Sequence, residues 1–396
     1  MGFEYTRRTW AEIDLDNIAH NMREIRKHTA ESARVMSVVK ADAYGHGAVQ
    51  VARAALENGA SWLGVSMLEE ALELRNAGIQ APILILSDNE PEYAEAIVKH
   101  DIRQAVYSFD MARVLSDAAV RLGRKARIHL KIDTGMGRIG FMPENAPHEA
   151  ARIAALEGIE IEGIFTHFAS ADECTEDADG YTLKQYTLFC DVCDNIEHNA
   201  RVHIPIRHAA NSAAIIRFPH MHMDMVRAGV ILYGLWPSAE MREMNETVDL
   251  RPAMALKSAI SYIKMAEKGS SISYGRTYCT KEPRRIATVP AGYADGYFRM
   301  LGNGASVYHE KSGKRAPVTG RVCMDQLMID VTASGEDAAA GDTVVLFGGG
   351  EGMPDADEIA RIAGTVNYEI ICAVGRRVPR IFIKDGVRVE TMNRLI

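Results

Sequence analysis

The sequence predicts an α/β protein with an N-terminal (β/α)8 TIM barrel and a C-terminal, mostly antiparallel β domain. Three observations lead to this prediction. Short apolar runs alternate with helical patterns from residue 17 to about residue 235, as in the βαβ units of a parallel sheet. The runs number eight, which is the strand count of a TIM barrel. Beyond residue 249 the runs become short and β-branched with Gly and Asp between them, which favours antiparallel strands.

Each of the eight apolar runs is short enough for one buried strand. They cover residues 35–39, 62–65, 83–86, 105–107, 128–132, 161–165, 206–208 and 223–226. Helical patterns lie between them, for example at residues 47–58, 69–77 and 109–122. An open, doubly wound sheet is the competing fold. The glycine fingerprint of a dinucleotide-binding sheet is missing after the first run, and this favours the barrel.

The C-terminal part of the chain has the signals of a separate β domain. Strands are predicted over residues 286–289, 317–322, 327–331 and 343–347, with one short helix over residues 355–363. Three glycines at residues 348–350 follow a strand, but no Walker lysine comes after them, so they indicate a loop. We place the barrel at residues 11–245 and the β domain at residues 246–396 together with residues 1–10.

Composition excludes several classes of protein. The 396 residues carry 45 Lys and Arg against 53 Asp and Glu, a formal net charge of −8, which argues against a general nucleic-acid binder. Because 47% of the residues are hydrophobic, the chain can build a large core, and a disordered chain is excluded. No apolar stretch approaches the ~20 residues of a membrane span. The charged first ten residues lack the apolar core of a signal peptide.

Two short motifs bear on location. Gly2 and Thr6 fit the loose myristoylation pattern, which is short enough to occur by chance. Cys190 and Cys193 form the single C-x-x-C, inside a helical pattern; a reduced pair is the main interpretation, with a redox or metal role as the alternative. We therefore expect a cytoplasmic protein without nucleic-acid or membrane partners.

A possible metal site lies at His220, His222 and Asp224. These residues alternate at the period of a strand, which places all three on one face. A transition metal favours such ligands, but they also occur as ordinary surface or loop groups. We expect no metal in this protein.

The first candidate for chemistry is Lys40, at the end of the first predicted strand. A barrel enzyme builds its active site at the C-terminal ends of its strands. Behind the apolar residues 35–39, a lysine is partly desolvated, which lowers its pKa and makes its amine able to form a Schiff base. A lysine that extends from a strand end towards water explains the position equally well.

Polar residues follow other predicted strands, where an apolar core does not require them. They are Lys131, Asp133, Arg138, His167, Arg207, His208, Asn211, Ser212, Arg227 and Gly229. Ser212 opens a helix and Gly229 leaves its backbone accessible, an arrangement that can hold a phosphate through N–H donors. A nucleophilic lysine, a phosphate cradle and a convergent Arg/His set together indicate a pyridoxal phosphate enzyme.

A longer motif surrounds this lysine. Residues 38–47, Val-Val-Lys-Ala-Asp-Ala-Tyr-Gly-His-Gly, resemble the pyridoxal-lysine motif of the alanine racemases. Further family-like segments follow in the family's order along essentially the whole chain. They are residues 10–15, 133–138, 166–169, 210–213, 226–229, 273–275, 292–296 and 323–326. Several motifs in register are far more specific than any one of them.

The resemblance implies roles for the residues that match the cofactor site. Lys40 holds pyridoxal 5'-phosphate as a Schiff base, the internal aldimine, and acts as one catalytic base. Tyr274 of the partner subunit is the opposite base. Arg227 binds the pyridine nitrogen with support from His167. The other cofactor-binding residues that the resemblance implies are Tyr44, Arg138, Asn211, Ser212, Gly229, Val230 and Arg376.

The resemblance also implies the substrate and the assembly. Arg138, Tyr293, Met324 and Asp325 bind the amino-acid substrate, Met324 through its backbone N–H. Lys131 is the position often carbamylated in this family, which places a carboxylate beside Arg138. The implied activity is racemisation of L-alanine and D-alanine by two bases in a homodimer with shared active sites, supplying D-alanine for peptidoglycan.

One position departs from the family pattern. Well-known members have a tyrosine at position 376, which packs beside the tyrosine base and touches the phosphate, and serine-racemising relatives differ there. This chain has Arg376, which removes a ring and adds a charge. The change is either tolerated variation or a sign of broader or shifted specificity, for example that of a serine racemase.

Two other functions compete with a racemase. One is a decarboxylase of similar architecture that acts on a basic amino acid; Arg227 argues against it, because decarboxylation benefits from a stronger electron sink than an arginine at the pyridine nitrogen provides. A pyridoxal phosphate carrier of the single-barrel kind lacks the β domain that supplies Tyr274 and Met324 in this chain.

Overall fold

A computed structural model describes residues 8–199, 201–244 and 247–396. Its contacts divide the chain into two units. The barrel unit consists of Ala19–Ala43 and Ala48–Leu250, and the β unit of the chain up to Ile18, Tyr44–Gly47 and Arg251–Ile396. The boundary between residues 245 and 246, as well as Gly2 and Thr6, lies outside the described residues. The boundaries drawn from the sequence therefore stay a proposal.

The barrel unit contains eight parallel strands, which confirms the (β/α)8 prediction. After β1 (Thr9–Asp14), which belongs to the β unit, the barrel strands follow in chain order. They are β2 (Arg34–Val38), β3 (Trp62–Val65), β4 (Ile83–Ile85), β5 (Arg103–Val106), β6 (Ala126–Lys131), β7 (Ile159–Phe165), β8 (Ile206–His208) and β9 (Met225–Ala228). From β2 to β8 each strand pairs with the next one along the chain, and β9 pairs with β2. Backbone hydrogen bonds from Asp224 N to Arg207 O (3.1 Å) and from Arg227 N to Ala210 O (3.0 Å) connect the β8 and β9 regions.

Helices connect these strands. They are α1 (Leu15–His28), the turn α2 (Lys40–Tyr44), α3 (Ala48–Glu57), α4 (Leu68–Asn76), α5 (Ala94–Lys99), α6 (Phe109–Arg121), α7 (Ala146–Ala154), α8 (Glu176–His198), α9 (Ser212–Arg217) and α10 (Ala239–Glu243). Side-chain oxygens of Ser108, Thr175 and Asn211 accept backbone N–H bonds at the starts of α6, α8 and α9. These caps satisfy donors that a helix cannot bond internally.

The barrel strands lie within about two residues of the predicted runs. β5 begins at Arg103 rather than at residue 105; β6 and β7 also begin two residues early, and β9 begins two residues late. Arg103 and Gln104 are polar yet 5% and 0% exposed, because both are hydrogen-bonded inside the barrel. Because strands were predicted from runs of apolar residues, the two polar residues at the start of β5 were not recognised as part of the strand.

The β unit is mostly antiparallel, as predicted. Its strands are β1 and β10 (Met254–Ala259), β11 (Tyr262–Ala266), β12 (Ser271–Ile272), β13 (Tyr278–Cys279), β14 (Arg284–Val289), β15 (Ser306–His309), β16 (Lys314–Pro317), β17 (Leu327–Asp330), β18 (Thr343–Phe347), β19 (Arg380–Lys384) and β20 (Val387–Met392). Seven of them form one sheet in the order β16-β15-β18-β10-β1-β19-β20. Only the β1–β19 pair of this sheet is parallel within the described residues.

The β unit differs from the prediction in one strand and one helix, and several of its strands, such as β10, β15 and β19, were not predicted. Residues 317–322 are not a strand: β16 ends at Pro317, Val318 makes one isolated bridge to Ile329, and Gly320 has φ +75°. Besides α11 (Ala356–Ala363), a second short helix, α12 (Asn367–Cys372), is present. At six residues, α12 is too short to give a periodic signal. Within the described part of the chain, no helix combines the length and apolarity needed to cross a membrane.

Candidate active site

Lys40 lies two residues beyond β2 and opens a strained turn. Residues Ala41–Tyr44 all have φ between 51° and 55°, a left-handed backbone that costs about 1–2 kcal/mol per residue in L-amino acids. The surroundings hold this turn: Ala43 N donates to Val39 O (2.9 Å), and Ala48 N donates to Asp42 Oδ1 (2.9 Å). Such strain is concentrated at functional sites. The lysine itself is half-buried.

Arg227, in β9, is a nearly buried cation at 4% exposure. Its Nη1 donates to His208 Nδ1 (3.0 Å) and to His208 O (3.1 Å). Its Nη2 lies within hydrogen-bond distance of three neutral acceptors, which are Thr166 O (2.7 Å), Ala209 O (2.9 Å) and His167 Nδ1 (3.2 Å). Burial and the nearby charge of Arg138 lower the pKa of Arg227 to about 9, so it stays a cation at neutral pH.

The two histidines beside Arg227 are neutral. A guanidinium can only donate, so Nδ1 of His167 and Nδ1 of His208 must both accept. Burial, followed by the positive charge of Arg227, lowers the pKa of each imidazole well below its ordinary value. The resulting arrangement is a dry, positively charged surface with fixed donors, which suits an anionic or electron-rich ligand.

Lys131 ends β6 and is 2% exposed. Its Nζ donates to Ile132 O (2.6 Å) and lies 5.4 Å from the centre of the Phe165 ring. Burial, and then the charge of Arg227, lowers the pKa of Lys131 to about 7. A large fraction of this amine is therefore neutral at neutral pH, unlike an ordinary lysine.

A tight turn after Lys131 leads to the exposed Arg138. Asp133 Oδ1 accepts the N–H groups of Gly135 (3.0 Å) and Gly137 (3.0 Å). Although burial raises the pKa of Asp133, these amides outweigh it and lower the pKa overall. Gly140 allows the chain to return, since a Cβ there would lie 2.4 Å from Asp133 N.

The predicted phosphate cradle lies where β8 and β9 end. Asn211 caps α9 by accepting Ala214 N (3.0 Å), and Ser212 Oγ accepts the N–H of Gly229 (2.9 Å). The Gly229 N–H is therefore already engaged within the protein. Val230 begins the next short helical turn, Val230–Tyr233.

In the β unit, Tyr274, Met324 and Asp325 line one concavity together with Ser273, Cys323 and Gln326. Its volume is about 440 Å³. Tyr274 is 67% exposed and Met324 54% exposed, so this one concavity carries two exposed large side chains. Ser273 has φ +63° and donates through Oγ to Arg321 O (2.6 Å), which holds the turn that presents Tyr274.

Arg377 connects the loops of the β unit that carry the predicted substrate residues. Its Nε lies 3.0 Å from Oδ1 of the fully buried Asp295, and its Nη2 donates to Asp325 Oδ1 (2.5 Å). The N–H of Tyr293 donates to Cys323 O (3.1 Å), so the two loops are also joined through their backbones. The sequence offers no signal for this role of Arg377, because its two partners, Asp295 and Asp325, lie far from it in the chain.

The remaining predicted residues of the β unit are Tyr44 and Arg376. Tyr44 is buried, its ring centre lies 6.1 Å from that of Tyr368, and burial raises the pKa of its hydroxyl above the ordinary value. Arg376 is exposed, and no hydrogen bond or ion pair of its guanidinium involves the described residues.

The metal and redox alternatives find no support in the geometry. His222 accepts Ala30 N at Nδ1 (3.0 Å), and its Nε2 lies 3.0 Å from Ile215 O, so both ring nitrogens are used structurally. No group of three or more His, Cys, Asp or Glu among the described residues fits a metal ion. Burial raises the pKa of Cys190 and Cys193, the opposite of what a reactive thiol needs.

Replacing Arg377 with Ala should weaken substrate binding more than turnover. The change leaves the carboxylate of Asp295 with less compensation and frees the loop of Asp325, at a cost of about 1–3 kcal/mol in the free energy of unfolding. We expect a rise in KM for the amino-acid substrate larger than the fall in kcat. The exposed Arg361, replaced with Ala, is the matched control. Unchanged KM in Arg377→Ala contradicts the assignment.

Two family models match the chain. One, described as alanine racemase, N-terminal domain, matches residues 13–237, and the other, described as alanine racemase, C-terminal domain, matches residues 253–382. The alanine racemase of Clostridium perfringens (strain SM101 / Type A) is 47% identical over 389 residues, 98% of each chain. That of Methanococcus maripaludis is 47% identical over 376 residues, which are 94% of this chain and 98% of the relative.

Solved structures agree with these relatives. An alanine racemase of Clostridium difficile 630 superposes with a TM-score of 0.93 at 42% identity, covering 99% of this chain and 100% of the other. The alanine racemase of Bacillus anthracis with bound L-Ala-P has a TM-score of 0.90 at 40% identity and covers 99% of both chains.

Proposed function

The chain belongs to the alanine racemase family, and on that premise we propose that it interconverts L-alanine and D-alanine with pyridoxal 5'-phosphate as cofactor. Its relatives are isomerases, and so is this chain. We further propose that two bases, Lys40 and Tyr274 of the partner subunit, carry the proton transfer. The product D-alanine would serve peptidoglycan synthesis, and we place the enzyme in the cytoplasm, where thiols such as its six free cysteines stay reduced.

The hydrogen bonding of the Arg227 guanidinium is the observation that supports a bound cofactor. Both of its Nη atoms have acceptors in the protein, whereas its Nε–H has no acceptor among the described residues. A guanidinium N–H that the protein leaves without an acceptor can donate to a ligand, so a ligand with an acceptor atom fits this position. The pyridine nitrogen of the cofactor is such an acceptor. We assign it to this N–H, with His167 holding the guanidinium from the other side.

The bound cofactor supplies an electron-withdrawing ring that acidifies the Cα proton of the attached amino acid. Lys40 Nζ holds the cofactor between turnovers. As a base, Lys40 would move the Cα proton on one face of the substrate, and Tyr274 Oη of the partner subunit would move it on the other face. Because free lysine and tyrosine have pKa values of about 10.4 and 10, each base needs tuning by its surroundings.

The other predicted residues bind and orient. We assign Tyr44, Asn211, Ser212, Gly229, Val230 and Arg376 to the phosphate side of the cofactor. Arg138 is assigned to the cofactor and the substrate, and Tyr293, Met324 and Asp325 to the substrate. Carbamylation of Lys131 requires a neutral amine, and the lowered pKa of this lysine supplies one.

We propose a homodimer in which each site takes Tyr274 from the partner subunit. The support is the exposure of large side chains on the face that carries the base: Tyr274 is 67%, Met324 54% and Tyr293 41% exposed. A second subunit that covers this face would remove their apolar surface from water.

The experiment that tests the proposed function is a racemisation assay on the purified protein with added pyridoxal 5'-phosphate. L-Alanine and L-serine are compared side by side by chiral chromatography, with Lys40→Ala as control. Alanine turnover that disappears in the control supports the racemase. Cofactor binding without turnover of either amino acid contradicts it and points to a carrier or another substrate.

Arg376 supports one second candidate, a racemase of broader specificity that accepts serine. If the exposed guanidinium admits the hydroxymethyl group, Arg376→Tyr should raise the ratio of kcat/KM for alanine over serine about tenfold, the size of a typical single-contact change of ~1–3 kcal/mol. Arg361→Tyr, at another exposed arginine, is the control. An unchanged ratio makes Arg376 a neutral variation.

A further inference from the structure

A line of buried contacts leads from Arg227 across the interior of the barrel. Arg227 Nη1 lies 3.0 Å from His208 Nδ1, and His208 Nε2 lies 2.9 Å from His129 Nδ1. His129 Nε2 then lies 3.7 Å from Glu162 Oε2, which is an electrostatic contact longer than a hydrogen bond. His129 and His208 are both 0% exposed. We call Arg227, His208, His129 and Glu162 the interior chain.

The two ends of the interior chain fix the position of every proton in it. Arg227 can only donate, so His208 accepts at Nδ1 and carries its proton at Nε2. That proton is donated to His129 Nδ1, and His129 carries its own proton at Nε2, towards Glu162. A carboxylate can only accept, so the direction imposed by Arg227 agrees with the direction imposed by Glu162.

Glu162 is held as an anion at its end. Arg103 Nε donates to Glu162 Oε2 (2.8 Å), and Arg103 in turn pairs with Asp101 (3.0 Å). Burial by itself would raise the pKa of Glu162, but the contacts to His129 and Arg103 lower it to about 2. Since Arg227 is bonded to neutral acceptors, Glu162 is the carboxylate that the interior chain connects to this buried cation.

The imidazole of His129 fits a space made for it. A Cβ on Gly163 would lie 2.4 Å from His129 Nδ1, so the ring occupies the room that this glycine leaves. Trp62 contacts the same ring edge-on at 5.4 Å. His208 stacks on Phe165 with a centroid distance of 4.8 Å and an interplanar angle of 9°. Both rings are therefore held in place by packing as well as by hydrogen bonds.

We propose that Glu162 and His129 are positioning residues for the reaction: through His208 they fix the orientation of the Arg227 guanidinium. The proposal rests on the proposed function, because it assumes that Arg227 Nε–H faces the cofactor. Neither Glu162 nor His129 belongs to the set that sequence motifs identify. A comparable orienting role is played by outer-shell carboxylates and carbonyls behind metal-bound histidines, whose loss costs about 10–100-fold in activity.

A purely structural role is the competing explanation. Glu162, Arg103 and Asp101 form an ion-pair cluster, and residues at the N-terminal end of a barrel commonly serve stability. In that case the loss of Glu162 lowers the melting temperature and leaves His208 and turnover unaffected. The test must therefore read His208 directly.

The experiment compares Glu162→Gln with Glu160→Gln in the full-length protein, with and without pyridoxal 5'-phosphate. Glu160 lies on the same strand and is exposed, and its carboxylate contacts only the half-buried Arg127 (3.5 Å) among the described residues. Histidine labelled with nitrogen-15 reports the tautomer of each imidazole. We expect His208 to be an Nε2–H tautomer in the unchanged protein and its signals to shift in Glu162→Gln, but not in Glu160→Gln.

Turnover provides the second readout. In Glu162→Gln we expect kcat for alanine to fall about tenfold while KM changes by less than about twofold, because the ring contact and not the substrate contacts is disturbed. Gly163→Ala provides an independent variant, since it displaces His129 without removing a charge, and should shift the His208 signals and lower kcat in the same way. Gly163→Ala therefore tests the positioning role even if Glu162→Gln does not fold.

The outcomes separate the inference from the proposed function. If the variants change only the melting temperature, with His208 signals and kcat as in the unchanged protein, the positioning role is wrong. If the unchanged protein neither binds the cofactor nor racemises alanine, the proposed function fails. The imidazole signals of the cofactor-free protein then still show whether Glu162 controls His208, and unshifted signals reject the interior chain itself.

Discussion

A mixture of Lys40→Ala and Tyr274→Phe chains, dissociated and reassembled together, should recover about a quarter of the activity of the unchanged enzyme if the dimer shares its sites. In a mixed dimer, one site combines both defects. The other combines the intact Lys40 of one chain with the intact Tyr274 of its partner. Half of the randomly formed dimers are mixed, and half of their sites are intact.

Each variant alone should be nearly inactive. Loss of one positioned base typically costs about 10²–10⁴-fold in rate, so the recovered activity stands far above the background. Chiral chromatography of alanine before and after reassembly measures it. Lys40→Ala chains reassembled with themselves are the control, and recovery confined to the mixture supports the shared site.

Failure of the mixture to recover activity has a definite meaning. If dimers form but the mixture stays as inactive as its components, Lys40 and Tyr274 act within one chain or Tyr274 is not a base. A Tyr274→Phe protein with full activity rejects the two-base proposal directly. Size-exclusion chromatography of the mixture distinguishes both results from a failure to assemble.

The barrel was accessible to prediction because its strands are buried on both faces. A run such as Trp62–Val65 is continuously apolar, and its length alone identifies a strand. Runs that contain buried polar residues are the exception. Arg103 and Gln104 belong to β5, but their hydrogen-bond partners, Glu162 and Ser87, are distant in sequence, and no local pattern reveals them.

The residues of the candidate site also fall into those that the sequence reveals and those that it does not. Residues that follow a strand end, such as Lys40 and Arg227, are visible in the sequence because the position itself carries meaning in a barrel. Residues that act through another side chain are not. His129 lies in the middle of β6, where a lone histidine reads as core, and Arg377 differs from its neighbour Arg376 only in the contacts that folding gives it.

The second large effect is expected at Lys131, whose charge should lower the free energy of unfolding rather than change turnover. Its ammonium form is buried beside Arg227 and Arg138, and its pKa in the folded protein is about 7 against 10.5 in an ordinary lysine. Above pH 10.5 both the folded and the unfolded chain hold it neutral, and the lysine costs nothing. As the pH falls the unfolded chain binds the proton first, so the penalty to folding grows until about pH 7 and is complete below it.

Replacing Lys131 with Met should therefore stabilise the chain most at low pH. The full penalty corresponds to about 5 kcal/mol on the scale of 1.36 kcal/mol per pKa unit, from which about 1 kcal/mol is lost with the hydrogen bond to Ile132. Urea unfolding at about pH 6, 8 and 10, in buffers free of CO2, should show the advantage of Lys131→Met shrinking as the pH rises. The exposed Lys184, replaced with Met, should show no such trend.

Added bicarbonate distinguishes the effect of the Lys131 charge on stability from the effect of the side chain's size. Carbamylation bonds the neutral Nζ to the carbon of CO2 and releases one proton, so the side chain becomes an anion near Arg138 and Arg227; two protons are released in all when the lysine starts as the ammonium cation. Added bicarbonate should therefore stabilise the unchanged chain and add the mass of one CO2, while Lys131→Met responds in neither way. The difference in the free energy of unfolding between the unchanged protein and Lys131→Met could instead be independent of both pH and bicarbonate. In that case the burial of a lysine cation does not destabilise the protein, and the difference comes from packing alone.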